Sequence, residues 1–469
     1  MLILGTVFQL LITRAFAQCI EQRQRVFSNL GGAQPDRFGQ CVAVDRGLLI
    51  AGAPGRTDSG ENSGGAVAYR YAGGQWVFET ELLPATASAG DVFGRVVDVS
   101  GRVAVVGGQL DDPFGELPRV GSVAVFRKRV IDETWTQDTT LNAGDATAGD
   151  EFGASVAIDG DIIVVGAPGK DGTGTLGGAA YVFEYDGVQW QETGAFVPGT
   201  IQPFRFYGDD VAVEGDLIAI GAPGDNEAAE GSGSVEIYRR EFGDWNFQQR
   251  IFDFDAFEGS GFGKRLTIDN GRIFVTLPGH LNNVNAIGSV QIFENDPLDG
   301  WTATAELVPT GSLVGEQFAV DVAVGGPNAL VTASYTDPND PNAGEQRLAY
   351  VFTLDDGQWT QTARITPDGF LAGDIYGFFA DMDHTTAVVG SFLRNASGSV
   401  YVYDLGACGD CVGDVNGDAQ VNLTDLAVLL ANFGLTDGAV RTLGDLDDDG
   451  DTELTDLAIL LSEFGTICE

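Results

Sequence analysis

One repeating pattern runs through most of the chain and limits what it can fold into. An aromatic residue, in most copies followed by glycine, recurs at nearly equal intervals, and every tryptophan precedes the next aromatic anchor by the same number of positions. Two residue types in a fixed phase indicate tandem copies of one structural unit. The anchors are Phe38, Phe93, Phe152, Tyr207, Phe262, Phe318 and Tyr376, and the tryptophans are Trp76, Trp135, Trp190, Trp245, Trp301 and Trp359.

Each unit has the pattern of four short β-strands. The third repeat reads FGASVAIDG, DIIVVGAPG, GGAAYVFEYDG and QWQETGAFVPG, which are apolar runs separated by glycine-containing turns. Four antiparallel strands repeated at this spacing are typical of a propeller blade. We therefore expect a mainly β fold, a seven-bladed β-propeller of four-stranded antiparallel blades.

The seventh repeat stops near Tyr403 without a tryptophan or a fourth strand, and the N-terminus supplies the missing strand. An apolar residue follows each tryptophan by six positions, and the same offset from Glu21 reaches Phe27. Residues 21–30 are thus predicted to close the ring as the last strand of blade seven. This closure brings Cys19 near Cys408, so we predict that disulfide, with Cys411 to Cys468 as the second and Cys41 as a buried free thiol. Four cysteines allow three pairings, and the choice among them rests on the strand closure alone.

The paired motifs resemble the FG-GAP repeat of integrin α-chain propellers and their bacterial relatives. Phe-Gly is followed by Gly-Ala-Pro at residues 52–54, 166–168 and 221–223, and the resemblance covers about residues 21–406. Integrin propellers hold calcium in an aspartate-rich loop between the two elements. Here that place holds only tight turns such as Asp159-Gly160-Asp161, so we do not extend calcium binding to the propeller.

Residues 1–17 have the pattern of a signal peptide, an apolar run followed by Ala15-Phe16-Ala17. This predicts a secreted, extracellular protein whose propeller domain spans residues 18–406. No other stretch is long and apolar enough for a membrane span. The net charge of −43 would repel nucleic acid and anionic lipid, which excludes both as partners.

The last segment, residues 407–469, contains two copies of a loop followed by a helix. DVNGDAQVNLTDLAVLLANFG begins at Asp414, and the second copy, DLDDDGDTELTDLAILLSEFG, begins at Asp445. Oxygen-bearing groups recur at loop positions 1, 3, 5, 7, 9 and 12, the spacing that surrounds a calcium ion. The predicted ligands of two Ca²⁺ ions are Asp414, Asn416, Asp418, Gln420 (backbone), Asn422 and Asp425 in loop one, and Asp445, Asp447, Asp449, Asp451 (backbone), Glu453 and Asp456 in loop two.

The duplicated loop and helix resemble a type I dockerin over residues 412–466, which gives a small all-α module. A solvated acidic tail, the alternative interpretation, explains neither the duplicated spacing nor the helical apolar stripes. The stripe residues are Leu423, Leu426, Ala427, Leu430 and Phe433 in the first helix and Leu454, Leu457, Ala458, Leu461 and Phe464 in the second. The resemblance implies a cohesin-like partner that contacts Leu423, Thr424, Leu454 and Thr455 in either of two orientations, although leucine also suits a core position. Ala419 replaces the glycine expected at position 6, so loop one is predicted to bind calcium more weakly.

The sequence offers no catalytic motif, which leaves two classes of function. With two histidines and no G-x-S-x-G, H-E-x-x-H or Walker pattern, it shows no nucleophile or zinc constellation. The fixed phase of the tryptophans favours packing in the outermost strand over sugar stacking. The first class is a non-catalytic binding or adhesion propeller; the alternative is a polysaccharide-degrading component, because dockerins often accompany such enzymes. In either case we expect a carbohydrate or cell-surface ligand on loops 53–64, 108–120, 222–232 and 334–345.

Overall fold

The computed structural model describes most of the propeller and part of the C-terminal segment. The described residues are 21–28, 36–111, 119–171, 175–199, 202–278, 287–312, 316–336, 345–367, 374–393, 396–405, 415, 421, 423–435, 444–446 and 452–463.

The strands form seven four-stranded antiparallel sheets, as the repeat predicts. Blades one to three comprise β2 (Val42–Asp45), β3 (Leu48–Gly52), β4 (Ala66–Ala72), β5 (Gln75–Leu82), β6 (Val96–Ser100), β7 (Val103–Gly108), β8 (Ser122–Lys128), β9 (Trp135–Leu141), β10 (Ser155–Asp159), β11 (Ile162–Ala167), β12 (Ala179–Tyr185) and β13 (Trp190–Phe196). Blades four to six comprise β14 (Val211–Glu214), β15 (Leu217–Ala222), β16 (Ser234–Glu241), β17 (Asp244–Ile251), β18 (Leu266–Asp269), β19 (Arg272–Pro278), β20 (Gly288–Asp296), β21 (Gly300–Leu307), β22 (Glu316–Gly325), β23 (Asn328–Thr336), β24 (Glu345–Asp355) and β25 (Gln358–Ile365). Blade seven comprises β26 (Asp374–Asp383), β27 (Thr386–Leu393), β28 (Ala396–Asp404) and the N-terminal β1 (Glu21–Phe27).

The first strand of each blade lies at the centre of the ring and contacts the first strands of both neighbouring blades. The second strands are almost fully apolar, as in β3 and β7, because both of their faces are covered by adjacent blades. One apolar cluster, for example, joins Ile50 and Ala68 of blade one to Val97, Val106 and Ala124 of blade two. The core of the protein therefore lies between blades, and no blade buries its apolar surface alone.

The ring closes through β1, which pairs antiparallel with β28. The predicted closure is confirmed, but its register is shifted by one residue. Val26 is the buried residue, at 3% exposure, and Phe27 is 57% exposed. Val26 faces Val400 just as Leu141 faces Val123 in blade two, so the position of the missing tryptophan is residue 20 and not Glu21. Because strand side chains alternate between faces, a shift of one residue exchanges the buried and the exposed side chain.

Polar contacts also hold β1 in place. An ion pair joins Arg23 to Asp404 of β28 at 2.5 Å. The Gln24 side-chain amide accepts from the backbone N–H of Trp76 and donates to its carbonyl, at 2.7 and 2.9 Å, which ties β1 to blade one. The same pair of hydrogen bonds joins the Gln249 side chain to the backbone of Trp301 between blades four and five. The N-terminal strand therefore makes the contact that an internal fourth strand makes elsewhere.

The tryptophans lie at the start of the outermost strand, where the sequence predicted them to pack. Trp76, Trp190 and Trp301 are buried. The indole Nε1 of Trp135 donates to Glu79 of the preceding blade, and that of Trp245 donates to Glu184, both at 3.1 Å. These contacts confirm packing between blades as the reason for the fixed phase.

After the propeller, the described residues form two helices, α1 (Leu423–Asn432) and α2 (Leu454–Glu463). The positive φ of Gly434, 93°, is the conformation that commonly ends a helix. Buried Leu429 and Leu460 pack with Val415, Val421 and Leu446 in a small apolar core. Within the described part of the chain, neither helix has the length and apolar character needed to cross a bilayer.

The register of β1 predicts a large effect on stability for one substitution and almost none for the same substitution at the adjacent residue. Val26→Asp places an unpaired charge in the apolar contact with Val400 and should lower the free energy of unfolding by about 3 kcal/mol. Phe27→Asp changes an exposed residue and should alter it by less than about 0.5 kcal/mol. Chemical denaturation of both variants measures the difference. Equal effects would contradict the assigned register.

Candidate functional site

The seven inner strands enclose a central channel with a cavity of about 370 Å³. Its wall contains oxygen-bearing side chains from most blades. Seven positions after the aromatic anchor, six of the seven repeats carry one, and the sixth repeat carries Gly325. These residues are Asp45, Ser100, Asp159, Glu214, Asp269 and Asp383.

Each of these six side chains accepts a hydrogen bond from the backbone of the next blade. The donors lie in the turn between the first two strands of that blade, and the last acceptor, Asp383, binds the Arg46 N–H of blade one at 2.6 Å. We call this series the turn ring. Its other bonds join Asp45 to Gly101, Ser100 to Gly160, Asp159 to Gly215, Glu214 to Asn270 and Gly271, and Asp269 to Gly326. At Gly325, a Cβ would lie 2.8 Å from the backbone nitrogen of His384, so the close approach of blade seven requires glycine there.

A second series of aspartates lies further along the channel wall. Asp98, Asp210, Asp321 and Asp381 also accept a backbone N–H from the inner strand of the next blade. The donors are Ile158, Leu266, Ala380 and Val44, at 2.7 to 2.8 Å. We call these four residues the channel aspartates. Arg265 lies among them, with its Nε 4.0 Å from Asp321 and its guanidinium 4.6 Å from the centre of the Phe379 ring.

Desolvation raises the pKa values of the channel aspartates. It raises the pKa of Asp98 to about 7 and that of Asp321 to about 7, and it raises the pKa of Asp210 to about 6. The pKa of Asp381 is also raised well above its usual range by desolvation, with the charge of Asp98 adding to the effect. The backbone N–H bonds lower each of these values without cancelling the cost of desolvation.

Buried ion pairs also lie at the base of the loops that follow Gly-Ala-Pro in blades three and four. In blade three, Lys170 lies 2.9 Å from Asp150, two positions before the anchor. In blade four, the charges are exchanged: Asp225 is the loop residue and Arg205, 2.8 Å away, precedes the anchor. Arg205 and Asp225 are fully buried. The two blades thus build the same contact with opposite polarity.

The type of residue that begins the third strand depends on the sign of the charge at the loop base. Where that charge is negative, at Asp111 and Asp225, a serine donates to it, from Ser122 at 2.5 Å and from Ser234 at 2.6 Å. Where the charge is positive, at Arg56 and Lys170, alanine occupies the position, because a cation needs no donor. Ala66 and Ala179 are these alanines.

The loops predicted to contact ligand have buried bases and exposed tips. In loop 53–64, Arg56 is buried, whereas Thr57, Asp58 and Ser59 are exposed. Loop 222–232 is similar, with Asp225 buried and residues 226–228 exposed. Parts of the other two predicted loops, residues 112–118 and 337–344, lie outside the described residues. Where described, these loops hold their tips on a fixed base.

Four of the twelve predicted calcium ligands are described. Asp425, Asp445 and Asp456 are buried, and Glu453 is exposed. Asp425 accepts the N–H of Val415 at 2.9 Å, and Asp456 accepts that of Leu446 at 2.6 Å. The same bond thus joins loop positions 2 and 12 in both halves. Asp414, Asn416, Asp418, Gln420, Asn422, Asp447, Asp449 and Asp451 lie outside the described residues.

Among the described residues, no group of three or more histidine, cysteine or carboxylate side chains has the arrangement of a metal site. The buried carboxylates nevertheless suit a hard cation, because a desolvated carboxylate needs hydrogen bonds or a metal ion to offset its charge. Both Asp425 and Asp456 lie in the first turn of a helix, where backbone N–H groups are oriented toward the loop. The described ligands, Asp425 in loop one and Asp445, Glu453 and Asp456 in loop two, are therefore compatible with calcium.

The predicted partner contacts lie on the exposed side of the helices. Leu423 is 71% exposed and Leu454 is 72% exposed, and Thr424 and Thr455 are also exposed. The expected apolar stripe is only partly turned inward. Leu426 and Leu457 pack against the small core, whereas Ala427, Leu430, Phe433, Ala458 and Leu461 are exposed. Phe464 lies outside the described residues.

Cys41 is a buried free thiol on the channel wall, as the sequence predicted. Desolvation raises its pKa, which keeps the thiol protonated. Cys19, Cys408, Cys411 and Cys468 lie outside the described residues, so both predicted disulfides stay predictions.

Sequence reasoning missed the turn ring and the channel aspartates. The signal for the first is present in the repeat, because a side-chain oxygen recurs seven positions after the anchor. The channel aspartates alternate between two positions, three and five after the anchor, and occur in four blades only. A repeat-by-repeat alignment finds the first series and does not distinguish the second from ordinary surface carboxylates.

Comparison with known proteins identifies the repeat. The FG-GAP repeat family model matches residues 24–69, 76–126, 135–183 and 359–403. Each match begins in an outermost strand and continues through three strands of the next blade, and the first begins in β1. The chain therefore contains FG-GAP repeats on a seven-bladed propeller.

A search of curated proteins found no match. Matching solved structures include a protein named as a candidate 6-phosphogluconolactonase from Bacteroides uniformis. It is 15% identical, with a TM-score of 0.46, over 70% of this chain and 86% of that one.

The buried ion pair of blade four predicts a large effect for a small substitution. Asp225→Asn leaves the charge of Arg205 without its closest partner in a desolvated site, and it should lower the free energy of unfolding by about 3 kcal/mol. The control, Asp216→Asn, removes the partner of Arg239 in an exposed pair of the same blade and should cost less than about 1 kcal/mol. Denaturant titration of both variants checks this, and a cost for Asp225→Asn as small as the control's would contradict it.

Proposed function

We propose that this chain is a secreted, non-catalytic binding or adhesion protein whose propeller presents a ligand-binding loop face. The C-terminal module tethers it through calcium to a cohesin-like partner. The observation that carries the proposal is the equivalence of the two halves of the module. Both halves repeat the bond between loop positions 2 and 12, and both leave the leucine at loop position 10 largely exposed.

The exposure of these leucines supports a recognition role over core packing. An apolar side chain in a small core would be buried, as Leu429 and Leu460 are. Leu423 and Leu454 instead lie at the start of each helix beside exposed threonines. A partner that buries one leucine gains about 1.5 to 3 kcal/mol from the apolar surface. Because the two helices offer the same pair of residues, one partner fits either helix.

Calcium would shape the surface that holds these residues. When bound, it neutralises the loop carboxylates and lets the two loops fold around it. Leu446 and Asp456 join the two ends of loop two, and Thr452 exchanges two backbone hydrogen bonds with Gly434 and Leu435 at the end of α1. The described half of loop two is therefore linked to the first helix. Folding of one half supports the other.

The contacts of the channel support a binding propeller over a catalytic one. A glycosidase needs a pair of carboxylates free to act on the bond between two sugars. The ten carboxylates and hydroxyls of the turn ring and the channel aspartates instead each accept a backbone N–H from a neighbouring blade. Their position is explained by the contact between blades. The exposed loop tips, which follow the buried base residues Arg56 and Asp225, are the surface we assign to the ligand.

A glycan array and a reducing-sugar release assay on the full chain distinguish this proposal from its alternative. Binding without release of reducing ends supports the binding propeller. Release of reducing ends by the purified chain would replace it with a polysaccharide-degrading enzyme.

Calcium binding by the C-terminal module is directly measurable. Titration by calorimetry should detect two sites, of which loop two is the tighter because loop one has Ala419 at the position that favours glycine. Asp456→Asn should remove the tight site, and the matched variant Asp425→Asn should remove the weaker one. Chelator should reduce helical circular dichroism and leave the β signal of the propeller unchanged. A chain that takes up no calcium would refute the assigned loops.

The two equivalent helices predict that single substitutions at the partner surface are tolerated. Leu423→Asp or Leu454→Asp alone should weaken binding to an immobilised type I cohesin module by only about twofold, because the other helix still binds. The double variant should lose about 100-fold or more. Phe242→Asp, the same type of change at an exposed site of the propeller, is the control. Loss of binding in either single variant would exclude two equivalent orientations.

A further inference from the structure

The channel aspartates hold four of the seven blade junctions. Asp98 joins blade two to three, Asp210 joins four to five, Asp321 joins six to seven, and Asp381 joins seven to one. In each case one carboxylate oxygen accepts a backbone N–H of the next inner strand, at 2.7 to 2.8 Å. The four side chains also line one cavity. Any change in their charge therefore acts on several junctions at once.

The groups that face these aspartates are mostly acidic. The charges of Asp45 in blade one and Asp159 in blade three act on Asp98. The charges of Asp98 and Asp383 in turn act on Asp381. Asp210 faces Asp209 and Arg265, and Asp321 faces Arg265 and Asp210. The remaining neighbours are the protonated thiol of Cys41, with Arg46 and His384 near Asp45. Arg265 compensates Asp210 and Asp321, and the Asp98–Asp381 side of the channel has no comparable cation in the described contacts.

We propose that the channel is a pH-responsive seam, in which ionisation of the channel aspartates loosens the blade junctions that they hold. A protonated carboxyl keeps a carbonyl oxygen that accepts the N–H of the next blade, so the hydrogen bond survives protonation. The ionised form keeps the bond as well, but it places several like charges around one poorly solvated cavity. The seam is therefore closed at mildly acidic pH and weaker at alkaline pH.

The direction of the effect follows from the raised pKa values in the folded state. An unfolded aspartate has a pKa of about 3.9. The folded chain holds more protons than the unfolded chain between that value and the folded pKa, which is about 6 to 7 for Asp98, Asp210 and Asp321. The stabilisation is complete below pH 4 and is lost as the pH rises through 6 to 7. Folding stability should thus fall between pH 5 and pH 8.

The test compares the thermal midpoint of the full chain at pH 5 and pH 8 with that of two double variants. Asp98→Asn with Asp321→Asn keeps both acceptor oxygens and removes two ionisable channel groups. The control, Asp132→Asn with Asp186→Asn, removes two carboxylates from exposed hairpins, where local hydrogen bonds lower the pKa. Both variants remove two carboxyl groups that are largely ionised at pH 8, so at that pH the comparison separates the channel from the general repulsion of an acidic chain.

The channel variant should show a clearly smaller difference in midpoint between pH 5 and pH 8 than the parent, with Asp210 and Asp381 accounting for the part that remains, and it should be more stable than the parent at pH 8. The control should keep the parent's difference. An unchanged difference in the channel variant would overturn the proposal, and so would an equal reduction in both variants.

Hydrogen exchange of the parent chain gives a second readout that needs no variant. The amides of Val44, Ile158, Leu266 and Ala380 should lose protection by about tenfold or more from pH 5 to pH 8, after correction for intrinsic exchange. Amides in the second strands, such as those of Val105 and Val164, lie in the apolar layer and should keep theirs. Equal changes at both sets of amides would show global unfolding without a seam and would refute the inference.

Discussion

The contact between neighbouring blades is the interaction on which the whole structure depends. A four-stranded sheet of this size has two apolar faces and cannot exist alone in water. Here the apolar second and third strands cover each other across the junctions, and the inner strands are joined by side-chain oxygens that accept backbone N–H groups. These bonds need no particular side chain on the donor side, so each blade can change its sequence while its turn keeps the same backbone position.

The exchange of charges at the loop bases shows how far the sequence of one blade can depart from another. Blade three uses Asp150 and Lys170, and blade four uses Arg205 and Asp225, at the same two positions. Blade four adds a tyrosine anchor, Tyr207, whose hydroxyl donates to Glu236 at 2.9 Å. The geometry requires a compensated pair and a donor for each buried carboxylate. It does not fix which side of the pair carries the negative charge.

Much of the propeller could be predicted from the repeat, because its period, its anchors and its tryptophans all report burial between blades. The register of β1 could not be fixed in the same way. That strand has no tryptophan, and its two candidate residues, Val26 and Phe27, are both apolar, so only pairing with Val400 decides which is buried. The buried faces of the two helices were even less predictable from the sequence. The apolar stripe of each helix is wider than its core, and the sequence does not show which leucines remain in solvent.

The candidate sites differ in how local their signal is. A calcium loop places all its ligands within one short stretch of chain, so its spacing is readable before any fold is known. The channel aspartates are brought together from four blades, and each is separated from the next by at least one full repeat, so only ring closure makes them neighbours. A charge whose pKa depends on such neighbours has no sequence signature. The buried charge of this site is a property of the ring.

The buried carboxylates of this acidic chain are accommodated in two different ways. In the channel, desolvated carboxylates are accommodated by backbone N–H groups and by protonation. In the C-terminal module, on the function proposed above, they are accommodated by a metal ion, and protonation competes with that metal. On these two proposals, acidification is expected to act in opposite directions on the two parts of one chain: it would strengthen the blade junctions and weaken a calcium-dependent tether. If both proposals hold, a propeller released from its partner by acid would remain folded, because protonation would also relieve the repulsion in its channel.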